Sequence, residues 1–185
     1  MFLHGLLSLL EQNDVKAIGR VWIKPLTGPV DGRAMNTFSI QWMCETFQQL
    51  LQDVGDRGIM VIDNSTPGVN ASVAHSVFTQ KFKSSGDSYP GLLEMPTFGG
   101  SENHVGLQIA DILGSGLIAP MAGRAYCDGY VTGSHVHPRY QDIKRRFAGR
   151  VAALQFTYRD SKGERCGGFV VSDKLGNRHS GYLLR

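Results

Sequence analysis

Apolar positions recur along the chain with two different periods. Phe2, Leu3, Leu6, Leu7 and Leu10 share one helical face ahead of the polar run Glu11-Gln12-Asn13-Asp14. No capping residue precedes that helix, so the chain is expected to open inside a domain. Val15 to Lys24 reads as a strand and Pro25 to Arg33 as a Gly- and Pro-rich loop. Asn36 or Thr37 caps a helix reaching about Val54, with Phe38, Trp42, Phe47, Leu50 and Leu51 on its apolar face. Gly58-Ile-Met-Val-Ile-Asp63 is a short apolar run between turn residues, the pattern of a buried strand. Asn70 caps a helix through about Lys83, with Val73, Val77 and Phe78 inward. Gly91 to Phe98 is a weaker strand that Pro96 puts at an edge or ends. A further helix covers about Asn103 to Ile118. Val151 to Arg159, Cys166 to Ser172 and Arg178 to Leu184 read as three strands of an antiparallel meander. Alternating helices and strands up to residue 118 predict a sheet with parallel pairs and right-handed crossovers.

Composition narrows the class. The 185 residues are 42% hydrophobic and 19% charged, which suits a globular chain of one domain, or one with a small appendage. No apolar run is expected to approach the roughly 18 residues of a spanning helix, so no membrane partner is expected. The start lacks a basic segment and a cleavage site, so it reads as a helix and not a signal peptide. Nineteen Lys and Arg against sixteen Asp and Glu give a net charge of +3, which does not by itself mark a nucleic-acid binder. Cys44, Cys127 and Cys166 are odd in number and far apart, fitting neither a zinc site nor a disulfide framework. A reducing, cytoplasmic compartment is the expectation.

Asp63 closes an otherwise apolar strand. A carboxylate at a strand's carboxyl end can hold a metal or act as a base. It can equally be a turn residue of Asp-Asn-Ser-Thr-Pro-Gly. In the helix from His104 to Ser115, His104, Gln108, Asp111 and Ser115 lie on one stripe of an otherwise apolar helix, which is expected to be buried. A buried Asp111 needs a partner, either a cation or a hydrogen-bonding neighbour. Gly114-Ser-Gly-Leu-Ile-Ala119 mimics a dinucleotide fingerprint but lies in a helix that meets Pro120, so that reading is rejected. There is no phosphate-binding P-loop and no nucleophile elbow. His135-Val-His137 has no third metal ligand in reach and reads as a loop. Lys81 and Lys83, flanking Phe82, can touch phosphates, and Arg139, Lys144, Arg145, Arg146 and Arg150 make a second basic stretch. Either group can equally be a solvated face.

Gly58-Ile-Met-Val-Ile-Asp63, followed by a helix, a strand into Ser101 and then Val105-Gly-Leu-Gln-Ile-Ala-Asp-Ile-Leu-Gly114, resembles the bacterial DUF 3800 family of unknown function. The resemblance covers roughly residues 1 to 130. It implies a ribonuclease H-like mixed sheet flanked by helices, with acidic residues that hold divalent metal. Asp63 and Asp111 fall on two of the family's acidic positions, Gln108 lies in the signature, and Ser101 matches the polar residue before it. The family's opening Asp-Glu-Ser-Gly strand is absent, so the α/β domain is expected to be incomplete at its start. The expected organisation is this domain over 1–130, a basic connector over 131–150 and the β-meander over 151–185. The implied function is a metal-dependent nuclease, inactive if the missing strand is essential; the alternative is a non-catalytic binding or assembly protein. In the nuclease reading Asp63 and Asp111 hold Mg²⁺ or Mn²⁺, Gln108 orients a carboxylate or water, and His104 relays a proton. Lys81, Lys83 and Arg124 meet nucleic acid. An exposed sheet edge is expected to favour a second copy or a partner chain.

Overall fold

The computed structural model describes residues 2–83 and 86–185. In chain order they form α1 (Phe2–Gln12), β1 (Gly19–Ile23), α2 (Gly32–Val54), β2 (Val61–Asp63), α3 (Pro67–Lys81) and β3 (Thr97–Gly99). There follow a long helix α4 (Val105–Cys127), α5 (Tyr140–Ala153), β4 (Thr157–Arg159), β5 (Arg165–Gly167) and β6 (Phe169–Asp173). The class is mixed α/β with small sheets. The chain divides into two compact units, Val30–Ala110 and the combination of Met1–Pro29 with Asp111–Arg185.

In the unit Val30–Ala110, Asp31 starts α2 by accepting a hydrogen bond from the Ala34 N–H at 2.9 Å. This replaces the expected cap at Asn36 or Thr37, and Gly55 ends the helix in the left-handed conformation at φ +68°. β2 and β3 pair in parallel, Val61 with Thr97, Ile62 with Phe98 and Asp63 with Gly99. α3 is the crossover between them, as the alternating pattern predicted. The core joins Ile40, Cys44 and Leu51 of α2 to Val73 and Val77 of α3 and to Tyr89 and Leu92. Burial pushes the Cys44 thiol up to about 12, so it behaves as a small apolar side chain. Lys81 is also buried. Its Nζ donates to the carbonyls of Tyr89 (2.7 Å) and Leu92 (3.0 Å) and pairs with Asp87 at 2.7 Å.

In the other unit β1 pairs in parallel with β6 in unbroken register from Gly19–Phe169 to Ile23–Asp173. Leu7 and Leu10 of α1, Leu117, Met121 and Tyr126 of α4, and Phe147 and Val151 of α5 are buried here. Arg150 ties α5 to α1, donating to both Glu11 carboxylate oxygens (2.8 and 2.6 Å), Ser8 Oγ (2.9 Å) and the His4 carbonyl (3.0 Å).

The meander is corrected. Only β4 and β5 are antiparallel. Gly167 and Gly168 both adopt positive φ, +83° and +67°, which breaks the expected strand Cys166–Ser172 in two and releases β6 to pair with β1. Val151 to Ala153 belong to α5, and Ser180–Tyr182 form a short 3-10 turn where a third strand was expected. The stretch 131–150, expected as a connector, contains most of α5.

Asp173, at the end of β6, organises the turn that follows. Its carboxylate accepts from the N–H groups of Leu175 (2.9 Å), Gly176 (3.1 Å) and Arg178 (3.0 Å), and from Arg178 Nε (3.3 Å). Burial alone would raise its pKa, but these donors together hold it below the usual aspartate range. A carboxyl with a depressed native pKa stabilises fully above its unfolded pKa, near 3.9. That contribution is lost as pH falls through the native value. Urea midpoints measured from pH 7 downward should therefore stay level to about pH 4 and then fall. Asp173→Asn should be less stable at neutral pH and show a flatter acid limb.

α4 does not stop at Pro120, contrary to expectation. Proline removes an N–H from the helical ladder, and α4 takes wider π turns over Ile112–Ile118 and Gly123–Cys127. Gly123 is required by packing: a β-carbon there would lie 2.3 Å from the His135 carbonyl oxygen. Gly123→Ala should cost about 2 kcal/mol in urea unfolding, because the obstacle is backbone and cannot rotate away. By length and composition α4 is long and apolar enough to cross a membrane, with mean hydropathy 1.4 and 22% of that stretch buried. It reaches this average although Asp111 interrupts it.

Candidate functional site

The carboxyl ends of β2 and β3 gather several of the sequence-predicted residues. Asp63 is the last residue of β2 and stands opposite Gly99 in the register. The Asn64 N–H extends the ladder by donating to the Gly99 carbonyl at 2.9 Å. The His104 imidazole lies against the same glycine. A β-carbon at Gly99 would be 2.5 Å from the ring, so glycine is what lets the histidine approach the strand end. Ser101 begins a short 3-10 turn, Ser101–Asn103, that carries the chain from β3 to α4. Its carbonyl accepts the Gln108 Nε2–H at 2.8 Å, tying the first turn of α4 back to the strand end.

The loop after Asp63 is held from the other side. Asn70 donates from Nδ2 to Asn64 Oδ1 at 2.6 Å and accepts from the Ser65 N–H at 3.1 Å. Asn70 was expected as a helix cap, but α3 starts earlier, with Thr66 as its first flanking residue and Pro67 in the first turn. Asn70 instead braces the Asp63–Thr66 turn. Asp63 and His104 are both exposed, so water reaches this edge.

Asp111 was expected to be buried and in need of a partner. It is exposed, and Ser115 Oγ donates to its carboxylate at 2.7 Å. The burial argument therefore does not hold: the first two turns of α4 expose most of their residues, Val105 at 71%. Asp111 also falls in the other compact unit, whereas Asp63, Ser101, His104 and Gln108 belong together in Val30–Ala110.

No family model matches the chain. Neither does any curated protein or solved structure.

The donor set itself tests the expected metal. Asp63 and His104 give one carboxylate and one imidazole at the strand ends, and no group of three His, Cys, Asp or Glu side chains able to hold a metal occurs among the described residues. A single Mg²⁺ held by one carboxylate, with water on its other positions, is compatible with such a set. A pair of ions a few ångströms apart, bridged by carboxylates, is not.

The basic candidates separate. Lys81 cannot meet nucleic acid as expected, because its ammonium is buried on Tyr89, Leu92 and Asp87. Lys83 is exposed just beyond α3. Arg124 pairs with Asp128 at 2.7 Å across one helical turn and keeps part of its surface in water.

Proposed function

We propose that the chain is a phosphodiester-processing protein of the ribonuclease H-like class, working at the carboxyl edge of β2 and β3. One observation supports this best: Asp63, Ser101, His104 and Gln108 converge at the end of a parallel pair, where open α/β sheets place their ligands. In this reading Asp63 would hold a single Mg²⁺ or Mn²⁺, which when bound supplies Lewis-acid polarisation of a phosphoryl oxygen. His104 exchanges a proton with the reacting group. The Gln108–Ser101 hydrogen bond fixes the geometry between strand and helix.

The test is thermal melting under Mn²⁺ titration for wild type and Asp63→Ala. A ligand that binds only the native state raises the melting temperature by mass action, about 2.7 kcal/mol at a hundred times its dissociation constant. Stabilisation of wild type that Asp63→Ala abolishes supports the reading. No response in wild type overturns it.

A second reading is favoured by the sparse donor set: a non-catalytic binding protein, in which Asp63 closes a turn and the strand edge contacts a partner chain. It predicts no metal response and no cleavage of single- or double-stranded nucleic acid.

A further inference from the structure

The basic stretch 139–150 does not act as one surface. Lys144 Nζ donates to the Tyr182 carbonyl at 2.8 Å, Arg145 pairs with Asp142, and Arg150 is engaged with α1. Arg139 and Arg146 remain exposed, with no side-chain partner among the described residues. They sit seven residues apart, two turns along one side of α5, or about 10 Å.

Between them is an open cleft of about 590 Å³, lined by His137, Arg139, Tyr140, Asp142, Ile143, Arg146 and Phe147. Phe147 is buried, and Ile143 and Tyr140 are half-buried, so the floor is apolar and partly aromatic. The rim is cationic. Its one carboxylate, Asp142, is already paired with Arg145. His137 adds a donor. Its Nδ1 accepts the Arg139 N–H at 3.2 Å, which places the ring proton on Nε2. The volume lies in the range of small-ligand sites.

An apolar, aromatic floor between two free guanidinium groups suits a ligand that is flat and apolar at its centre and anionic at its margin. We propose that this cleft binds a nucleoside phosphate, its base laid on Tyr140 above the floor that Ile143 and Phe147 make, and its phosphate held by Arg139 and Arg146. The same chemistry is offered by a free nucleotide and by single-stranded nucleic acid. A duplex does not offer it, because its bases are stacked on each other and not on the protein. The proposal does not depend on a metal at Asp63.

The experiment is fluorescence anisotropy of a labelled single-stranded ten-nucleotide oligomer in EDTA, with AMP and inorganic phosphate as competitors and a duplex of equal charge as a second probe. Arg139→Ala/Arg146→Ala should weaken oligomer binding at least tenfold and lower the slope of log affinity against log salt by about 1.4. Tyr140→Ala should weaken the oligomer and AMP about tenfold and leave phosphate competition unchanged. Arg33→Ala/Arg57→Ala, which removes the same charge elsewhere, should stay within twofold of wild type. Circular dichroism melts verify that each variant is folded. If AMP competes, the site accepts a free nucleotide; if only the oligomer binds, the ligand is a single strand. Either result supports the cleft. No binding by wild type, equal loss in the two double variants, or preference for the duplex overturns it.

Discussion

Replacing Arg178 by alanine should destabilise its unit by about 3–4 kcal/mol, the largest single-residue effect expected there. The guanidinium donates to the carbonyls of Ala125 (2.9 Å) and Tyr126, two of the carbonyls that end α4 without a helical partner. It also lies over the rings of Tyr126 (5.4 Å) and Tyr130 (5.5 Å) and supplies the cation for Asp173, whose side chain is fully buried. Alanine leaves that carboxylate with backbone donors only. Arg178→Lys should recover less than half of the loss, because an ammonium cannot reproduce a planar fork that serves two carbonyls and a carboxylate at once. Urea unfolding checks both values. Hydrogen exchange at Tyr126 and Cys127 should show the end of α4 opening first.

Lys81→Ala should cost about 3 kcal/mol in the unit Val30–Ala110, roughly 15 °C in melting temperature. Removing the ammonium leaves the Leu92 carbonyl without its donor and empties the space of a buried four-carbon stem. The Tyr89 carbonyl suffers less, since it also accepts the Leu92 N–H at 3.0 Å. Asp87 contributes little to the loss, because a third of its side chain is already in water. Lys81→Met separates these parts. It keeps the stem and should recover about 1 kcal/mol, leaving the orphaned carbonyl as the remainder. A melt in which Lys81→Ala matches wild type would show that the buried ammonium stabilises nothing.

Much of the unit Val30–Ala110 was legible from periodicity. The helices α2 and α3 and a strand within 58–63 follow local rules, but packing set their faces: Phe38 and Phe78, expected on the apolar faces, are about half exposed, and no residue of the expected buried strand 58–63 is fully buried. α5 was also visible in principle: Ile143, Phe147 and Val151 recur every fourth residue. Its dense positive charge drew attention from that stripe, although charges on the outer face are what an amphipathic helix carries. Two features of the other unit were misjudged. Pro120 normally marks a helix boundary, yet wider turns carry α4 past it. The partner of β6 is β1, far away in sequence, and nothing local in Cys166–Ser172 names it.

The candidate site shows the same division. Asp63 was recognisable as a carboxylate ending a strand, and Gln108 and His104 as polar positions in an apolar helix. Their convergence depends on the β2–β3 register and on one glycine at the strand end, which no spacing argument supplies. Asp111 was misjudged because an apolar sequence was taken to mean a buried helix. The cleft at α5 was hidden for a different reason. Seven residues of mixed chemistry give no motif, and only the pairing of Lys144, Arg145 and Arg150 elsewhere distinguishes Arg139 and Arg146 from their neighbours.

The β1–β6 pair has a consequence for how the chain is made. On the ribosome β1 emerges about 150 residues before the strand it pairs with. At 5–20 residues per second that is a wait of roughly 8–30 s. The whole of Val30–Ala110 is synthesised in the interval and can complete its own core. β1 meanwhile offers Val21, Trp22 and Ile23 with open backbone groups to whatever is near. Nascent chains should therefore depend on chaperone cover at β1, and a stop anywhere before β6 should yield an aggregation-prone product.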